Sequence, residues 1–296
     1  MKSRQVVGWI AAGMTLALLS AVVAGYVLAR PYPVGVGPLP ADLAGRKIEF
    51  PGAEGATLRG WFVPSDAHRG TILLMHGVRS NRLQMLDRAQ FLHRAGYSVL
   101  LFDSRAHGES GGNAITFGYL ESRDAQAAVE LIREMAPGQP IGVIGASLGG
   151  AATVLAKPRL EVDALVLESV YPTINQAISD RLKLRFGPPA AWLTHVLTFM
   201  FRPRLGFSAN ELRPIDAVRN LTTPKMFIFG SRDRHTTAEE SRDLFERASE
   251  PKELWEIDGA AHVDLYAYAG LDYEKRVLRF LDANLHSRRT AADAAR

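Results

Sequence analysis

Three residue types that together perform nucleophilic acyl chemistry occur in this sequence at spacings that three separate loops could supply. Ser147 sits in Gly145-Ala146-Ser147-Leu148-Gly149, between an apolar run at Ile141, Val143 and Ile144 and a helical pattern that starts at Leu148. Asp233 follows 86 residues later, after the apolar run of "PKMFIFGSRDRHT", and His262 comes 29 residues further on in "IDGAAHVDLY". A hydroxyl is a weak nucleophile until an imidazole takes its proton, and the imidazole in turn needs a carboxylate to fix its tautomer. Such a set attacks an acyl carbonyl and passes through a covalent acyl intermediate.

The small residues around Ser147 have a steric reading. A serine on a sharp strand-to-helix turn is pushed above the sheet edge, and side chains at Gly145 and Gly149 would collide with the neighbouring helix and strand. The same turn aims the Leu148 amide at the place where an oxyanion forms. Phosphate-binding readings fail: after Gly145 and Gly150 come Ala151 and Ala152 instead of Lys and a hydroxyl, and Gly142, Gly145, Gly149 and Gly150 do not make G-x-G-x-x-G. A tight turn carrying a capping serine is the bland alternative. A second oxyanion donor is expected from "LLMHGVRSN", where an apolar strand ends in His76-Gly77-Val78; Val78 would supply the amide and Gly77 the close backbone approach.

Other residues compete for these roles. Glu168 ends the strand "ALVLE" and is a second candidate acid. His68, His93 and His107 precede the serine, His235 is too near Asp233 to arrive from another loop, and His286 falls in the last helical pattern. With no cysteine, the chain has no disulfide, thiol nucleophile or Cys-ligated metal site. No metal or cofactor is expected. The net charge of +4 comes from scattered arginines rather than a basic stripe, so no nucleic acid is expected as partner.

The elements that must position these residues alternate. Strands are expected at 47–50, 57–63, 71–75, 98–103, 141–146, 164–168, 225–230 and 254–257, and helices at 81–95, 120–135, 148–156, 237–248 and 272–285. The later strands are continuous apolar runs, as in a parallel sheet covered on both faces. The fold class is α/β, doubly wound and mostly parallel. With "MHGVRSN", "FDSRAHGESGG", "IGASLGG", "PIDAVRNLTTPKMFIFGSRD" and "GAAHVD" in place, the chain from about residue 48 to 285 resembles the α/β-hydrolase superfamily, and is similar to small bacterial serine esterases and membrane-anchored abhydrolase-domain proteins. The resemblance implies a Ser147-His262-Asp233 triad, a Val78 and Leu148 oxyanion hole, a small-molecule acyl substrate, and structural roles for Asp103, Arg105, Gly108 and Ser110. Dehalogenases and epoxide hydrolases of that superfamily carry an aspartate where this chain has Ser147. A carboxylesterase is expected; a peptidase or thioesterase would use the same residues, and a non-catalytic tethered binding protein is the different class.

The ends read differently. From Gln5 to Ala29 there are 25 residues without charge, enough for a helix that needs about 20 to cross a bilayer. Lys2 and Arg4 precede it, which places the N-terminus in the cytoplasm and the catalytic domain outside; an exported form after signal cleavage is the alternative. Residues 1–30 are thus read as anchor, 31–43 as a Pro-rich linker, 44–286 as the hydrolase domain and 287–296 as a mobile tail. Within the domain, about 171–213 is too long for a plain connection and is read as a small helical lid. Its segment "PPAAWLTHVLTFMF" is apolar on nearly every face, and such a helix is most simply buried against the body.

Overall fold

Apolar runs become strands here because neighbours cover them on both sides. The structure, a computed structural model, describes residues 3–285; the expected tail and His286 lie outside the described residues. In chain order the strands are β1 (Tyr32–Pro33), β2 (Arg46–Pro51), β3 (Thr57–Val63), β4 (Thr71–Met75), β5 (Ser98–Asp103), β6 (His107–Gly108), β7 (Ile141–Ala146), β8 (Ala164–Glu168), β9 (Lys225–Gly230) and β10 (Lys252–Ile257). The α-helices are α1 (Ser3–Leu28), α2 (Leu86–Arg94), α3 (Glu121–Met135), α4 (Leu148–Leu155), α5 (Ile174–Phe186), α6 (Leu193–Phe199), α7 (Phe201–Leu205), α8 (Pro214–Ala217), α9 (Ala238–Arg247), α10 (Leu265–Ala269) and α11 (Leu271–Leu285).

Eight strands form one sheet in the order β10-β9-β8-β7-β4-β5-β3-β2, parallel except that β3 runs antiparallel to β2 and β5. Successive side chains of a strand face opposite ways. On β4, Leu73 and Met75 accordingly join the core under α3 and α4, while Ile72 and Leu74 join the core under α2 and α11. The chain leaves β4 for β5 on one side, then returns past β4 to β7 on the other. The carboxyl ends of β4 and β7 therefore open a crevice, the usual place for a site in a wound α/β sheet.

The N-terminal segment departs from the expected arrangement. Counted over the described residues, no helix is long and apolar enough to cross a membrane, so the fold itself does not establish the expected transmembrane helix. What it does place is the end of α1. Ala29 is buried and its carbonyl accepts from the Ile115 amide at 2.9 Å. The stretch read as a linker is docked as well: β1 pairs with β6, the Tyr32 amide donates to the Ala106 carbonyl at 2.7 Å, and Val36 and Leu43 are buried. Proline keeps that stretch extended, and an extended strand can still accept hydrogen bonds from a partner.

The segment read as a lid forms α5, α6, α7 and the turns between them, and Ile174, Ala177 and Phe201 of it line a cavity with Ser147. It buries only part of the apolar segment that the sequence places against the body: Ala190, Leu197 and Phe201 are buried. Phe186, Trp192 and Phe199 stay in the open, Phe199 at 74% of its full exposure.

Candidate active site

Ser147 links β7 to α4 with φ 47° and ψ −105°, a conformation that β-carbon-bearing residues avoid. Its amide donates to the Glu168 carbonyl at 2.7 Å, and its carbonyl accepts from Ala151 at 2.9 Å, so strand and helix lock the turn from both sides. Sterics explain the flanking glycines. A Cβ at Gly145 would lie 2.5 Å from the Gly150 nitrogen, and one at Gly149 would lie 2.3 Å from the Met75 carbonyl oxygen at the end of β4. Gly77 is different: a Cβ there would meet Gln84 Oε1 at 3.4 Å and Ser147 Cβ at 3.7 Å, so close approach does not demand glycine as the sequence suggests.

Asp233 follows β9 and His262 follows β10, adjacent parallel strands, so their loops emerge side by side. The His262 Nδ1 lies 2.7 Å from Asp233 Oδ2, while Asp233 Oδ1 accepts from the amides of His235 at 2.8 Å and Thr236 at 3.0 Å. Burial pushes the Asp233 carboxyl up, but the His262 hydrogen bond and charge and the two amides outweigh it, and the net shift is downward. With Nδ1–H donating to a carboxylate, Nε2 is the free acceptor of the ring. Ser147 and His262 line one polar cleft of about 150 Å³. No hydrogen bond joins the Ser147 hydroxyl to the ring in this structure; such bonds are often long without substrate and tighten with it.

Glu168, the competing acid, is committed elsewhere. Its oxygens accept from Arg88 Nε at 2.9 Å and Nη2 at 2.7 Å and from the Tyr273 hydroxyl. Arg88 also donates to Asp264 at 2.9 Å, and Asp264 caps α10 by accepting from the Ala267 amide at 3.0 Å. A buried arginine thus fastens the loop that carries His262. Sequence reasoning missed it, because a lone arginine in a helix gives no local sign of burial. It also set His235 aside, yet the His235 ring stacks on His262 with centroids 5.1 Å apart and planes within 12°.

The loop expected to supply an oxyanion donor is clamped by two histidines. His76 is fully buried; its Nδ1 lies 2.7 Å from the Gly77 carbonyl and its Nε2 accepts from the Ser104 amide at 2.9 Å. Burial, then His107 and Arg82, push its pKa down to about 3 against the pull of the Gly77 carbonyl, so the ring is neutral. His107 accepts from the Arg79 amide at 3.0 Å while its Nδ1 faces the Arg105 carbonyl at 2.7 Å. A trans peptide points its C=O and N–H in opposite directions. Fixing the Gly77 carbonyl toward His76 therefore fixes the Val78 N–H away from it. Val78 packs against Leu148, and both line an apolar cavity of about 180 Å³ with Ser147. The "FDSRAHGES" residues are structural: Asp103 receives the Arg82 guanidinium at 2.8 Å and the Glu109 amide at 2.8 Å, and Ser110 donates to the Asp103 carbonyl at 2.6 Å. Among the described residues no cluster of histidine and carboxylate side chains could hold a metal ion.

A wound eight-stranded, mostly parallel sheet with a serine at the strained β7–α4 elbow defines an α/β-hydrolase fold. The chain belongs to the serine aminopeptidase S33 family, which it matches over residues 66–214, a stretch holding Val78 and Ser147 and ending before Asp233. The uncharacterized protein YqkD of Bacillus subtilis is 27% identical over 79% of this chain and 78% of its own. The (R)-3-hydroxydecanoyl-ACP:CoA transacylase of Ectopseudomonas oleovorans is 27% identical over 62% of this chain and 73% of its own. Among solved structures, the esterase Pf2001 of Pyrococcus furiosus superposes with a TM-score of 0.71 at 27% identity, covering 86% of this chain and all 100% of that one.

Proposed function

We propose that the protein is a serine carboxylic ester hydrolase working through an acyl-enzyme. His262 Nε2 takes the Ser147 proton as Oγ bonds to the acyl carbon, and the Val78 and Leu148 amides receive the oxyanion. The C–O bond to the alcohol breaks as His262 returns the proton to the leaving oxygen. Water then repeats the sequence and frees the acid. Asp233 holds the ring throughout and stays ionised. The observation that carries this reading is the Asp233–His262 hydrogen bond opening onto the cleft that Ser147 shares.

The two cavities beside Ser147 differ in kind and support an orientation. The apolar one, walled by Phe117, Leu148, Ile174 and Phe201, suits the acyl group. The polar one, with Gln84, Arg88 and the unpartnered Ser169 hydroxyl, suits the alcohol. The similar esterase and transacylase support acyl chemistry, and the apolar cavity favours an ester or thioester over a peptide.

Residues 3–28 are proposed to anchor this domain in a membrane, with the domain outside the cytoplasm or, if residues 1–30 are removed, exported. Support comes from the 25 uncharged residues and from Trp9, Leu16, Leu19 and Val23 on α1, all more than half exposed. Apolar side chains in such a row belong in a non-aqueous surround.

The test is labelling with a fluorophosphonate and hydrolysis of p-nitrophenyl esters. Wild type should label and Ser147→Ala should not, with a rate loss of about 10⁴–10⁶-fold. A folded wild type that neither labels nor cleaves any ester would leave the tethered binding protein as the reading.

A further inference from the structure

The apolar cavity is incomplete without the N-terminal helix. Leu28, the last residue of α1, forms part of its wall. The side chain of Arg79, the residue just past Val78, holds that end in place: its Nη2 donates to the carbonyls of Val27 at 2.6 Å and Leu28 at 3.3 Å. The lid holds it from the other side, with the Arg204 guanidinium 4.4 Å from the Tyr26 ring centroid.

Cavity size sets the next step. About 180 Å³ is less than the roughly 300–1,000 Å³ of pockets that enclose a drug-sized ligand. A short acyl chain fits inside, and a long one must emerge between Leu28 and Phe201, where α1 meets the lid. The two elements that meet there carry exposed apolar side chains: Phe186, Trp192 and Phe199 on the lid and Val23 and Val27 on α1 are all more than half exposed. The lid is also basic. From Tyr171 to Ser208 the sequence holds five basic residues (Arg181, Lys183, Arg185, Arg202, Arg204) and one acid, Asp180. Asp180 is buried and paired with Lys183 at 3.0 Å.

Resting on the ester-hydrolase reading, we infer that the junction of α1 and the lid is a port seated on an anionic lipid bilayer, through which the protein draws long-chain acyl esters directly from the lipid. Apolar side chains enter the interface while Arg185 and Arg202, both exposed, meet anionic headgroups. The bilayer is favoured over a second copy of the chain because the lid's excess of positive charge would repel its own image.

The test uses the full chain reconstituted in phosphatidylglycerol vesicles carrying a long-chain acyl ester, beside soluble p-nitrophenyl butyrate. Phe186→Ser/Trp192→Ser/Phe199→Ser should lower cleavage of the vesicle-borne ester at least tenfold and leave the soluble rate unchanged. Leu28→Trp, which narrows the port, should lower the long-chain rate more than the short. A readout free of catalysis accompanies these: brominated lipid should quench wild-type fluorescence more than that of Trp192→Phe. The port is overturned if the triple variant matches wild type on vesicles, if Trp192 adds nothing to quenching, or if sedimentation in detergent gives a dimer that the triple variant abolishes. If wild type cleaves neither substrate and takes no fluorophosphonate, the ester reading itself fails instead, and Trp192 quenching then decides the bilayer contact alone.

Discussion

The floor and the roof of the crevice are built on opposite rules. Beneath Ser147, charged side chains are buried and matched: Arg88 with Glu168, Arg82 with Asp103, and Arg105 with Asp124 at 2.7 Å, each pair under 5% exposed. His76 and His107 spend both ring nitrogens on backbone groups of the loops they join. Above it, α5 buries only Ile174, Ala177 and Asp180, and the segment read as a lid turns Phe186, Trp192 and Phe199 outward while Phe201 faces in. The floor fixes atoms to fractions of an ångström, which acyl chemistry demands. The roof is unfinished, and what finishes it lies outside the protein.

Substitutions in the floor should therefore be expensive. Arg88→Met strands the Glu168 carboxylate, which is 3% exposed, and should cost about 3–5 kcal/mol in a denaturant melt. Adding Glu168→Leu should recover most of it, since an apolar replacement of the whole pair is often neutral. His76→Phe keeps an aromatic ring but frees the Gly77 carbonyl. If the Val78 amide depends on that clamp, kcat should fall about 10²–10³-fold with KM little changed; a change confined to KM would break the assignment.

His76 also links stability to pH. Its folded-state pKa, about 3, lies below the ordinary 6.5, so its contribution is complete above pH 6.5 and is lost as pH falls toward 3. Burial also pushes His107 down, which adds to the same acid-side loss. Melts at decreasing pH should show wild type weakening through this window, and His76→Phe weakening less.

Gly149→Ala tests the floor where the elbow helix meets β4. The new methyl would lie 2.3 Å from the Met75 carbonyl, a backbone atom that cannot rotate away. The expected cost is about 3 kcal/mol, a fall in Tm of roughly 6–12 °C for a domain of this size.

Much of the floor was legible in the sequence because its signals are local. Strands β3, β4, β5, β7, β8 and β9 begin and end where the apolar runs do, and the elbow glycines mark a turn that needs them. Its supports were not legible. The Arg88–Glu168 pair joins positions 80 residues apart, and the His76 and His107 clamp reads in sequence as a strand-end histidine and one passed over because it precedes the serine. His235 was set aside for its closeness to Asp233, the very proximity that stacks it on His262. Segment 31–43 looks like a linker because proline cannot donate, yet its carbonyls and remaining amides pair with β6. For the roof, hydropathy shows that "WLTHVLTFMF" avoids water and is silent on what shields it; a core and a bilayer leave the same pattern.

That ambiguity supplies the gentlest prediction and the one that separates floor from roof. Were Phe199 the core residue that its sequence context suggests, truncating it would open a cavity and cost about 3–5 kcal/mol. At 74% exposure it has little packing to lose. Phe199→Ser should therefore shift stability by no more than about 0.5 kcal/mol, within roughly 2 °C of the wild-type Tm. The same substitution should make the protein less dependent on detergent for solubility, since it removes apolar surface from water. A large stability loss would place Phe199 inside the fold and dissolve the contrast between the two regions. A small one with improved solubility leaves an aromatic side chain kept on the surface against its own hydration, which a surface used only by water would not require.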